Sequence, residues 1–127
     1  MANELGLKWI KMAAIYLAIG VSLGIHMGKS HEFLLAPVHA HINLLGWATM
    51  ALMGILHCVF HQQLVNKIAR AQFWLHQLGT PVLLASLAMM LTGNAAMEPV
   101  VGVASLVVGV SVLLFLFNVL RNLRPAD

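Results

Sequence analysis

The sequence predicts an all-α fold, a four-helix bundle embedded in a membrane, on three observations. The 127 residues are 61% hydrophobic and only 9% charged, whereas a soluble domain carries about 25% charged residues. Four apolar stretches of span length follow one another with short polar connections. The few basic residues gather at alternate ends of those stretches. Such a chain cannot cover a water-facing surface, and its mean hydropathy of +0.89 makes lipid its solvent. No separate soluble domain is expected in these 127 residues. The net charge of +3 comes from basic residues at span ends, which points away from nucleic acid.

The first span is expected over about residues 9–28. Lys8 and Lys11 flank its start, and Trp9 sits where an interfacial aromatic anchor belongs. Its apolar run is span-length, and no small-residue cleavage site follows, so no cleavable signal is expected. Gly20, Gly24 and Gly28 recur every four residues and share one face, which lets another helix approach closely. Pro37 suits the first turn of the second span, where no backbone N–H is needed. That span is expected over about residues 38–60. Gln62, Gln63, Asn66, Lys67 and Arg70 then read as a polar link. The third span, about 73–92, contains Pro81, which is expected to kink the helix or free a carbonyl for a partner. Thr92-Gly93-Asn94 ends it, and the fourth span follows over about 100–119. Asn43, Thr49, Ser86, Ser105 and Ser111 read as interhelical or back-bonding polar groups. Glu98 reads as solvated, and Cys58, the single cysteine, as a small buried hydrophobe.

Lys8, Lys11, Lys67, Arg70, Arg121 and Arg124 fall on one side of this topology and only Lys29 on the other. The positive-inside rule then places both termini in the cytoplasm of a bacterial-type inner membrane. It also sorts the seven histidines by depth. His26, His31, His39 and His41 lie toward the outer side; His57, His61 and His76 lie toward the inner side. Ionisable residues within spans mark functional sites by default. A helix turns ~100° per residue, so His39 and His41 point ~200° apart and cannot chelate one small metal ion together. Each can serve a different site on opposite flanks of one helix. Interfacial hydration at the helix end is the plainer reading of the same pair. His57 and His61, at i and i+4, share a face that His76 can meet, which gives a possible zinc or copper site. The plainer reading has His61 and His76 reaching into the inner interface, as lysines do.

His39-Ala40-His41 followed by Leu45-Gly46-Trp47 resembles the haem-ligand helix in subunit I of the haem-copper oxidases. The likeness is greatest to the C-type cytochrome oxidases and their nitric-oxide-reductase relatives. Ser30-His31 stands where those oxidases have Ser-His upstream of the pair. Ala71-Gln72-Phe73-Trp74-Leu75 and Gly79 resemble the start of the following helix, with Gln72 where the family usually has histidine. The likeness covers residues 30–93, about half of the chain.

The resemblance implies that His39 and His41 are axial ligands to haem iron. The family's copper-site pattern, a histidine with a tyrosine one turn away, is absent from the sequence, whose only tyrosine is Tyr16. The family fold is twelve helices in three arcs of four, and this chain is one arc long. The resemblance therefore implies a homotrimer, in which His39 of one chain and His41 of its neighbour grip a shared haem. Haem b is the expected cofactor, because no Cys-x-x-Cys-His is present for covalent attachment. His26, His31 and Lys29 would meet its propionates. The function so implied is single-electron transfer, with a quinol or a redox protein as partner. Two alternatives remain at this level. One is a nitric oxide- or oxygen-binding or -reducing haem protein. The other is a non-haem copper- or zinc-binding membrane protein using His57, His61 and His76. Whether the protein is an enzyme stays open.

Overall fold

Helix α1 runs from Glu4 to Ser30 in the structure, a computed structural model that describes residues 4–125. At 27 residues it is ~40 Å long, more than a bilayer core of ~30 Å requires. It begins before the expected span, with Glu4 at its positive end, where a carboxylate is favourable. His31 ends it in the left-handed region, at φ 57°, as a residue just past a helix C-terminus commonly does.

Helix α2 spans Ala36–Val59, with Pro37 in its first turn. Its middle, Ile42–Ala48, is a π-helix. There the Thr49 N–H bonds Leu44 O, one residue further back than an α-helix would reach. The helix breaks at Phe60, and a single turn, α3, covers His61–Leu64. Helix α4 covers Lys67–Leu91 and runs through Pro81. Asn66 caps it by accepting the Ala69 N–H at 3.0 Å, which starts the helix six residues before the expected span. Gly93, at φ 113°, turns the chain after α4. A short 3₁₀ turn, Ala95–Met97, then leads into α5, Glu98–Asn122, with Pro99 in its first turn.

All described elements are helical, and four of the helices are long and apolar enough to cross a membrane. Large apolar side chains face outward along them, among them Leu52, Leu106 and Leu120. That is the surface of a multi-pass membrane protein, whose contact is with lipid.

Two antiparallel hairpins, α1–α2 and α4–α5, build the bundle. Glycines set the first. A Cβ on Gly54 would lie 2.9 Å from the Gly6 carbonyl oxygen and 2.7 Å from Ile10. One on Gly20 would strike Asn43, one on Gly24 would meet His39, and one on Gly46 would strike the Tyr16 ring. The expected glycine face thus holds for Gly20 and Gly24, whereas Gly28 faces open space. In the second hairpin Gly79 packs against Val107 and Val108. Polar bonds fix its register. The Ser111 hydroxyl donates to Gln72 O at 3.1 Å and stands 3.2 Å from His76 Nδ1. The Asn118 amide donates to Leu64 O at 2.9 Å. The two hairpins meet where His76 Nε2–H donates to Leu45 O at 3.1 Å and Trp9 packs edge-on against Phe73. Gln63 and the Arg124 backbone bond each other in both directions, joining α3 to the chain end.

Gly54→Ala is expected to destabilise the protein by about 1–3 kcal/mol through overpacking. Gly102→Ala, with nothing near its Cβ, should be neutral or stabilise by up to about 1 kcal/mol through helix propensity. Denaturant unfolding in detergent, followed by circular dichroism, compares the two. By the same assay Ser111→Ala should cost about 0.6–1.7 kcal/mol, the range of an interhelical hydrogen bond in a membrane.

Candidate functional site

His39 and His41 fall on opposite flanks of α2, because the helix is still regular α over Ala36–His41. His39 points toward α1. Its ring sits against Gly24, where the missing Cβ leaves room for Cε1. The Asn43 amide donates to His39 O at 2.9 Å. The same nitrogen lies 3.4 Å from both His39 ring nitrogens, so it is aimed at neither lone pair. Asn43 thereby flanks the ring, and because a neutral imidazole has one accepting nitrogen, it can engage only one of the two.

His41 points the other way. Its Nδ1–H donates to Pro37 O at 2.7 Å. A neutral imidazole with that bond carries its remaining lone pair on Nε2, the arrangement common to metal-ligating histidines. His41 lines an open, largely apolar groove of about 540 Å³ with Leu45, Leu83, Val108 and Leu113. That volume lies within the range of small-molecule and cofactor pockets. The groove is open on the side away from the bundle, so a neighbouring molecule can close it.

His26 and His31 are exposed at the same end of the bundle as His39 and His41. His31 has a structural role besides, since its left-handed backbone stops α1 and the Ser30 hydroxyl accepts the Glu32 N–H at 3.3 Å.

The other three histidines do not form one site. The break at Phe60 separates His57 from His61, so the i, i+4 relation expected between them is not carried by a continuous helix. His61 instead borders the chain end, in a pocket with Gln63 and Arg124. Among the described residues no three of histidine, cysteine, aspartate and glutamate come together as a metal-holding group. His76 is fully buried rather than reaching toward the interface. Its place follows from the π-helix, which turns the Thr49 N–H away from Leu45 O and leaves that carbonyl for His76. With Nε2–H donating, Nδ1 is the acceptor, and Ser111 has one hydroxyl proton for two acceptors, His76 Nδ1 and Gln72 O. His57 repeats the bond pattern of His41, its Nδ1–H donating to Met53 O at 2.6 Å. Its Nε2, however, is buried, and its ring lies between those of Trp9 and Phe115.

Sequence reasoning missed three partners here. Gln72 donates to Met53 Sδ at 3.0 Å inside the core. Asn118 joins α5 to Leu64 and Asn66. Leu45 O becomes an acceptor only through the π-helix. An asparagine late in an apolar run was a visible signal for Asn118; a backbone carbonyl freed by helix geometry leaves none.

Compared with protein-family models, curated proteins and solved structures, the chain matches none of them.

Proposed function

We propose that the protein is a haem b-binding membrane cytochrome that passes single electrons through a bis-histidine haem. The observation that carries this reading is His41. Its Nδ1–H is held by Pro37 O, its Nε2 is left as a ligand, and it borders an apolar groove open toward a neighbour. His39, half-buried with its ring on Gly24 and flanked by the Asn43 amide, supplies the second ligand from an adjacent copy. The donor set fits the group: two neutral imidazoles, apolar walls for a porphyrin face, and no competing carboxylate in the groove lining. When bound, haem iron supplies one-electron redox chemistry, with no open coordination position if both imidazoles ligate.

Opposed histidines on one helix favour ligands shared around a ring of copies, and a cyclic trimer reproduces three arcs of four helices. His26, His31 and Lys29, at the same end, are the groups for the propionates. The six basic residues at the other end set that end toward the cytoplasm of a bacterial-type membrane, by the positive-inside rule. A quinol or an outer redox protein is the electron partner in this reading.

His41→Ala and His39→Ala should each lower haem content in purified protein at least tenfold, measured as pyridine haemochrome per chain. His57→Ala and His76→Ala should retain it, although His76→Ala will unfold more easily. Co-expression of His39→Ala with His41→Ala chains tests sharing between copies. About a quarter of the interfaces in randomly mixed rings regain both ligands, so haem should return to that level. No recovery in stable mixed oligomers contradicts sharing, and unchanged haem in the single variants contradicts the ligand assignment.

A further inference from the structure

At the basic end, two hollows on the α1–α4 flank run into one another. The first is a pocket of about 200 Å³ bordered by Glu4, Leu5, Lys8, Val65, Arg70 and Trp74. The second is a groove of about 460 Å³ bordered by Lys8, Lys11, Met12, Phe73, Gln77 and Leu78. Lys8, Phe73 and Trp74 belong to both. Lys8, Arg70 and Glu4 therefore border the first hollow, Lys8 and Lys11 the second, and apart from Gln77 the rest of the second is apolar. Trp74, 61% exposed, stands at the junction. Tryptophan at the boundary between headgroup and hydrocarbon levels is a general feature of membrane proteins.

We infer that this flank is a binding site for an anionic glycerophospholipid. The phosphate and its headgroup sit between Lys8 and Arg70, and one acyl chain lies along Phe73, Met12 and Leu78. Charge complementarity selects the occupant. Lys8, Lys11 and Arg70 outnumber Glu4 by two, which suits a headgroup with net negative charge and gives a zwitterionic one no advantage. Basic pockets between transmembrane helices hold anionic headgroups in this way. The acyl groove continues directly below the charges, so one molecule satisfies both hollows. The site lies at the opposite end of the bundle from His39 and His41, and it does not depend on a cofactor there.

Native mass spectrometry of the detergent-solubilised full chain tests this, with phosphatidylglycerol and phosphatidylcholine added at equal concentrations. One phosphatidylglycerol per chain should survive activation that strips phosphatidylcholine. The double variant Lys8→Gln/Arg70→Gln should weaken phosphatidylglycerol binding by roughly tenfold to thirtyfold, since each interfacial basic residue contributes a factor of about five. Arg121→Gln/Arg124→Gln removes two charges from the same end but from outside both hollows, and should leave binding within about twofold. Equal retention of both lipids overturns the inference. So does equal loss in the two double variants, which would mean diffuse attraction to the basic end. A change in oligomer mass rather than lipid number in Lys8→Gln/Arg70→Gln also overturns it, because the flank would then be a contact between copies.

Discussion

Close approach of α1 and α2 is the constraint on which the rest of the structure depends. In lipid, apolar burial does not draw helices together, so packing must come from contact between surfaces that fit. Gly6 and Gly54 bring backbone to backbone at the basic end. Gly20 and Gly24 open α1 to Asn43 and His39 at the other. Because the seam fixes the rotation of α2, it also fixes where His39 and His41 face. The first is turned into the α1 surface, and the second is turned out toward α4 and α5.

The π-helix at Ile42–Ala48 is the second organising feature. It lies between the histidine-bearing first turns of α2 and the buried lower half. An α-helix consumes each carbonyl four residues on, and the π register releases Leu45 O for His76 instead. A histidine that sequence alone places near an interface is thereby drawn into the core and becomes the link between the two hairpins. Ser111 completes the link on α5. Buried polar groups in this half act as fasteners, while His41 at the other end faces a groove and remains available. That contrast separates His76 from His41 more clearly than depth in the bilayer does.

Much of the architecture was legible in the sequence. Composition and span length gave four helices, Pro37 fell in a first turn, and Gly20 and Gly24 marked a packing face, whereas Pro99, read as the end of a loop, lies inside the first turn of α5. Helix ends were less legible, because apolar runs report hydrocarbon thickness and not where backbone bonding stops. Asn66 is the clearest case: it looked like one polar residue in a link and is the cap that starts α4. The opposed directions of His39 and His41 followed from helical angle alone. What each ring touches did not, since that depends on Gly24, Asn43 and Pro37 O being brought to it. His57, His61 and His76 do not come together as a metal-holding group among the described residues, because the helix is interrupted at Phe60, which no feature of the apolar run signals.

The functional reading rests on a lone pair left free by a local backbone bond, on a helix whose rotation is set by glycines. Optical spectra of the purified, haem-sufficient protein test it most directly, recorded oxidised, reduced, and reduced under carbon monoxide. The account predicts a Soret band, sharp reduced bands that carbon monoxide does not move, and one haem per chain. A protein that folds and forms its oligomer without any haem absorption contradicts it.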